Sequence, residues 1–222
     1  MALQLQLENG SLIGGGGTAF KGANVHAKPL DYGSFGHYRG TIAVTLVAGQ
    51  ASTSRLLELR NNASNWIIPT KVEVTVMPFG AVAVPYVLYI GMARCTSFSA
   101  VDTTNVVTPA LSPLKSTMPA SPGGAQVRHV TAAGHSAGMT GGTLTKDGGY
   151  LSLFPAWIAS VSATMQPLTR DLVASARHDM HPLICASNEG FVVENVNTGS
   201  ATANNVVVLI DLAWAEVPVG GF

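Results

Sequence analysis

The stretch NNVVVLIDLAWAEV, residues 204–217, carries the clearest structural signal in the chain. From Val206 onward every second side chain is large and apolar, and this period of two predicts a long β-strand with one face in the core. The predicted core face consists of Val206, Val208, Ile210, Leu212 and Trp214. The other face carries Leu209, Asp211 and Ala213. We therefore predict that the last strand of the chain supplies a continuous row of core residues.

Shorter segments with the same alternation precede this strand, and examples are Thr41–Val47 and Lys71–Met77. The segment Arg55–Arg60 points Leu57 and Leu59 inward and Glu58 and Arg60 outward under the same pattern. Roughly nine or ten strands, separated by turns at regular spacing, are typical of a sandwich. No βαβ alternation and no internal repeat is visible. The sequence predicts an all-β fold, an antiparallel β-sandwich, with a jelly roll as its expected form.

The region between residues 150 and 178 is more ambiguous. Tyr150–Phe154 and Trp157–Met165 are predicted as two strands, although Trp157, Val161 and Met165 also fit helical spacing. Residues Thr169–His178 form the one short segment predicted as a helix, with Thr169 as its N-cap.

The chain divides into an arm and a body. Residues 1–40 are predicted to be an N-terminal arm with a Gly-rich extended segment, and residues 41–222 the jelly-roll domain, with long loops at 97–124 and 132–149. The arm alternates apolar and polar residues before a joint of four glycines, Gly14–Gly17. Such a short strand buries nothing by itself, so we expect its leucines to bind a partner: Leu3, Leu5 and Leu7.

The composition is unusually poor in charge. Charged residues make up 11% of the chain, against about 25% in an average soluble protein. Lys plus Arg number 12 and Asp plus Glu number 12, so the net charge is zero. A free monomer normally keeps a net charge for solubility, and we therefore expect neighbouring chains to cover much of the surface. The balance excludes a nucleic-acid binder, which needs a basic surface.

Residues 74–93 contain no charged side chain and are long enough to span a bilayer. They are interrupted by Pro78, Gly80, Pro85 and Gly91, which favours two strands around a turn over a membrane helix. The first residues resemble no secretory signal. We predict that Cys95 and Cys185 are reduced and buried, consistent with synthesis in a reducing cytoplasm.

Motifs that carry chemistry are sparse. His178 and His181 are three residues apart and are the only metal candidates, but no further ligand pattern accompanies them. The segment Gly134–Gly138 has the form G-x-S-x-G, yet it lies in a Gly-rich loop rather than between a strand and a helix. Trp66, Trp157 and Trp214 could stack on sugars, although core or interface packing is favoured. We predict no catalytic residue, no bound metal and no cofactor.

Two segments resemble a known family. RLLELRNNASNWIIPTKVEVTVM (residues 55–77) and HPLICASNEGFVVENVNTGSATANNVVVLIDLAWAEV (residues 181–217) are similar in their strands and turns to jelly-roll virion structural proteins of tailed bacteriophages. The second segment is similar to the closing strands of that family and ends near W-x-E. The resemblance covers about residues 55–217.

The resemblance implies a non-enzymatic virion protein, most simply a capsid cement or decoration protein. It would associate with itself as a homotrimer and bind the major capsid protein or other virion proteins, but neither nucleic acid nor a membrane. The alternative is a jelly-roll receptor- or glycan-binding module of a tail or head appendage. Exposed aromatic clusters with polar neighbours would favour that alternative.

Overall fold

The computed structural model describes residues 5–6, 12–13, 36–46, 51–79, 85–114, 118–131, 138–139, 141–158, 167–173, 182–197 and 206–219. This described part of the chain contains strands and turns and no helix. These described residues therefore include no membrane-spanning helix.

Fourteen strands are present in these residues. They are β1 (Leu5–Gln6), β2 (Leu12–Ile13), β3 (Gly36–Thr45), β4 (Ser54–Asn61), β5 (Trp66–Pro78), β6 (Tyr86–Ala100), β7 (Val106–Val107), β8 (Ser112–Pro113), β9 (Ala125–Val130), β10 (Thr143–Lys146), β11 (Ser152–Ile158), β12 (Leu168–Asp171), β13 (Gly190–Asn195) and β14 (Val206–Val217).

Two antiparallel sheets form the sandwich. The five-stranded sheet has the order β12-β5-β14-β3-β8. The seven-stranded sheet has the order β10-β6-β13-β4-β9-β7, with β11 also paired to β6. Among the described strands, β1 and β2 pair with each other and with no strand of the two larger sheets.

The strand order is compatible with a jelly roll. Strands β3, β4, β5 and β6 fall alternately in the two sheets, and so do β12, β13 and β14. The last strand lies between β3 and β5, as the return connection of a Greek key requires. The predicted all-β antiparallel sandwich is confirmed.

The core lies between the two sheets because each contributes the apolar side of its alternating strands. The predicted row of β14 lies within it, and its side chains are at most 1% exposed: Val206, Val208, Ile210, Leu212 and Trp214. They are joined by Val72, Val74 and Val76 from β5 and by Leu57 and Leu59 from β4. The ring of Trp214 packs against that of Tyr38, with centroids 5.7 Å apart.

Several sequence predictions need correction. The helix predicted from Thr169 is wrong at its described start, since Leu168–Asp171 is a strand paired with β5. The helical propensity of this segment is weak, and pairing with the edge of β5 outweighs it. The pairing brings Thr169 Oγ1 within 2.8 Å of Thr75 Oγ1. Strand β3 begins at Gly36, so residues 36–40 belong to the sandwich and not to the arm.

The stretch predicted as two strands around Pro155 is one strand, β11, as far as Ile158. The regions predicted as long loops also contain regular structure. Strand β6 continues to Ala100, β7 and β8 lie within residues 97–124, and β10 lies within residues 132–149. These short strands hold the long connections against the sandwich.

Candidate protein-binding surface

In the described part of the chain, the outer face of the seven-stranded sheet, which is turned away from the core, has exposed side chains at one end. There β11 runs antiparallel to β6, and Pro155 lies opposite Tyr89 while Trp157 lies opposite Val87. Along β11 buried and exposed side chains alternate, with Phe154, Ala156 and Ile158 inside. The other side of the strand therefore faces outward.

The outward side chains here are apolar. We call this surface the apolar strip and define it by Val87, Tyr89, Leu151, Leu153, Pro155 and Trp157. Trp157 is 57% exposed, Leu151 50%, Leu153 43% and Tyr89 39%. Four of the eight exposed large hydrophobic residues of the described chain thus lie on or next to the paired strands β6 and β11. Contiguous exposed apolar surface of this kind marks an interaction site, whereas scattered single residues do not.

A tyrosine borders the strip on its inner side. Tyr150 lies over Gly91 of β6, where a Cβ atom would be only 2.6 Å from the tyrosine ring. Glycine is therefore required at this position. The Tyr150 hydroxyl donates to Glu194 Oε1 at 2.6 Å, and burial together with this carboxylate raises the pKa of Tyr150.

The same carboxylate binds a lysine. Lys146 Nζ lies 2.8 Å from Glu194 Oε1, and the Glu194 side chain is fully buried. Lys146, Glu194 and Tyr150 line a small cleft of about 180 Å³. Each polar group at this border has its partner within the chain, so the cluster fixes the position of the strip.

The open edge of β11 is blunted by Pro155. Tyr89 lies opposite Pro155, but its backbone groups point away from β11. The Tyr89 N–H donates to Asn197 Oδ1 at 2.9 Å, and the Tyr89 carbonyl accepts from Val196 N–H at 2.8 Å. The Pro155–Tyr89 pair is therefore a non-hydrogen-bonded one, and the proline nitrogen faces the free edge. Because proline has no N–H, an added strand would find no donor at the centre of this edge. The accessible feature is the face of the strand.

On β4 of the same sheet, residues from the long connections contact a buried ion pair. Glu58 is fully buried, bonded to the Arg55 guanidinium and to the backbone N–H of Asp102 at 3.0 Å. Arg55 also donates to the carbonyls of Met139 and Gly141. Burial raises the pKa of Glu58, and the bond from Asp102 and the charge of Arg55 oppose that change.

A third buried carboxylate, Glu216 of the W-x-E segment, binds residues 123–125. It accepts hydrogen bonds from the N–H groups of Gly123 (2.9 Å), Gly124 (3.1 Å) and Ala125 (2.9 Å). The Asn65 amide adds a further bond at 3.3 Å. These contacts satisfy the carboxylate without a cation.

The sequence-predicted site residues have different outcomes. Leu5 lies in the β1–β2 hairpin, paired with Ile13, while Leu3 and Leu7 lie outside the described residues. His178 and His181 also lie outside them, and among the residues that are described no cluster of three or more His, Cys, Asp or Glu could hold a metal. Cys95 and Cys185 are free and buried, as predicted.

The three tryptophans separate by environment. Trp214 is fully buried, Trp66 is half-buried and Trp157 is exposed. Sequence reasoning did not identify the strip, although the alternation of Leu153, Pro155 and Trp157 was a visible signal. It also treated Glu58 as an outward residue and missed its burial.

No protein-family model, curated protein or solved structure matches the chain.

Proposed function

We propose that the chain is a non-enzymatic structural protein of a phage virion, a cement or decoration protein of the capsid. Its partners are further copies of itself and the major capsid protein or other virion proteins. The proposal rests on the strand and turn resemblance of residues 55–77 and 181–217 and on the character of the protein surface.

The observation that carries the proposal is the apolar strip on a chain with few charges. Water-exposed Trp157 and three further large apolar side chains are unfavourable in a free monomer and favourable in an interface. With only 11% charged residues, the remaining surface adds little solubility. Both features support a protein whose function is to pack against other proteins.

The N-terminal arm supplies a second point of attachment. Among the described strands, β1 and β2 pair with each other and with neither sheet of the sandwich. A described hairpin that pairs with neither sheet can bind a neighbouring chain, and we propose Leu5 of this hairpin, together with Leu3 and Leu7 of the same arm, as the anchors. Burying three leucines would contribute roughly 4–9 kcal/mol before the cost of ordering the arm.

The test is attachment to particles. Virions of the encoding phage are purified and the chain is located by mass spectrometry and cryo-electron microscopy. Its absence from them would contradict the proposal. Deletion of residues 1–17 should leave a folded sandwich that no longer binds particles lacking the protein.

A matched pair of variants separates the leucines from the rest of the arm. Replacing Leu3, Leu5 and Leu7 by serine should abolish attachment. Replacing the alternating neighbours Gln4, Gln6 and Glu8 by serine should preserve it. If the leucine variant still decorated particles at full occupancy, the arm would have no part in attachment.

One observation favours the glycan-binding alternative, because the exposed Trp157 and Tyr89 lie on the same surface. Sugar sites combine aromatic rings with polar groups that bind hydroxyls. Here the neighbours are Leu153 and Pro155, so the strip fits a protein partner better. Saturable binding of an oligosaccharide that is lost in Trp157→Ala would favour the alternative.

A further inference from the structure

We infer that the apolar strip is the surface through which copies of this chain meet, strip against strip. This inference deepens the proposed function, because it names the occupant of a surface that the proposal leaves open. Four observations carry it: the area of the strip, its lack of charge, its blunted edge and its rigid support.

The first observation is area. The exposed fractions of Trp157, Tyr89, Leu151 and Leu153 correspond to roughly 400 Å² of apolar surface. A stable interface buries about 800 Å² on each partner, and the centre of a homodimer interface is more apolar than its rim. The strip is the right size to be that centre, with polar neighbours completing the contact.

The second observation is charge. In a symmetric contact the same patch is present on both sides, so any charge near the axis meets its own copy. None of the six strip residues is charged, and Glu194, at the inner border, is buried and paired with Lys146. The strip residues themselves therefore bring no like charges together when two strips pack, whereas recognition of a different protein commonly uses complementary charge.

The third observation is geometry. Because Pro155 removes the central donor from the β11 edge, copies cannot readily join by extending the sheet from strand to strand. Contact through the face brings Trp157 and Leu153 of one copy against the same residues of another. Such a contact closes on itself and does not propagate into a fibre.

The fourth observation is rigidity. The strip lies on two paired strands, and Tyr150 fixes its inner border through Glu194. A preformed surface loses little conformational freedom on association. Another copy is also the partner that is always present where the chain is synthesised.

The test introduces opposite charges at Leu153 in two variants. The mass of each variant in solution is measured by light scattering after gel filtration. The wild-type chain should have at least twice the 22.9 kDa mass of a single chain. Leu153→Glu and Leu153→Lys should each weaken association at least about tenfold, since the introduced charge meets its own copy. An equimolar mixture of the two variants should regain the wild-type mass.

Matched controls lie on the same molecule. Val107 is 41% exposed, against 43% for Leu153, and belongs to β7 at the opposite edge of the same sheet. Val107→Glu should keep the wild-type mass. For the aromatic position, Trp157→Ser should dissociate the assembly while Phe79→Ser, equally exposed at 56%, should not. Circular dichroism of every variant checks that it is folded.

The outcomes are distinguishable. A monomeric wild-type chain, unchanged mass in the Leu153 variants, or no recovery in the mixture would each overturn the inference. A monomer whose attachment to particles nevertheless requires Trp157 would assign the strip to another virion protein. If the wild type and the variants have the expected masses but the protein never attaches to particles, the inference about the strip stands and the proposed virion function is contradicted.

Discussion

Replacing Glu216 by alanine should cost about 3–5 kcal/mol of folding free energy. The fully buried carboxylate accepts from the N–H groups of Gly123, Gly124 and Ala125. Gly123 is exposed and can bond to water after the substitution, but Gly124 is buried and cannot. A buried donor without a partner costs about 1–3 kcal/mol, and lost bonds to a charged acceptor about 1.5–3 kcal/mol each.

Urea unfolding followed by tryptophan fluorescence gives the change from the midpoint at constant slope. Glu216→Gln should fall between the alanine variant and wild type, because it retains one acceptor oxygen and turns an NH₂ group toward donors. The control is Glu73→Gln on the outer face of β5, where a partly exposed pair with Lys71 at 3.2 Å contributes at most about 1 kcal/mol.

Amide hydrogen exchange at Gly124 provides a local measure, and exchange should accelerate in Glu216→Ala but not in Glu73→Gln. If the folding free energies of Glu216→Ala and Glu216→Gln both stayed within about 0.5 kcal/mol of wild type, the Glu216 carboxylate would not be the anchor of residues 123–125.

Other expectations follow from buried groups. Trp214→Ala should lower stability by about 3–5 kcal/mol, because the ring is fully buried against Tyr38; an unchanged urea midpoint would show that this face is not in the core. Burial raises the pKa of Glu58 above its ordinary 4.5, so the native state holds the proton more tightly and this group's contribution to stability falls as the pH rises from 4.5 toward the raised pKa. Glu58→Gln should remove that part of the pH dependence, and identical melting-temperature slopes in variant and wild type would contradict the assignment. Burial raises the pKa of Cys95 to about 12 and also raises that of Cys185, so neither thiol should react with iodoacetamide at mildly alkaline pH until the protein is unfolded. Rapid labelling of the folded protein would refute this.

Within the five-stranded sheet, the core face of one strand was predictable from the sequence and the pairing of an edge strand was not. On β14 the alternation of Val206 through Trp214 identified the core face correctly, because a strand buried on one side repeats every two residues whatever its neighbours are. At Thr169 a local helix signal failed, since the pairing of Leu168–Asp171 with β5 is a long-range contact that residue propensities do not contain.

The sequence by itself determined the class of fold, the core row of β14, the buried free cysteines and the low charge of the surface. These are properties of composition and local period. Only the tertiary structure decided which outward positions are covered. Glu58 and Trp157 both point away from the core in their strands, yet Glu58 is buried and Trp157 is 57% exposed. The difference arises because Asp102, Met139 and Gly141, distant from Glu58 in sequence, close over one end of the sheet and leave the other open.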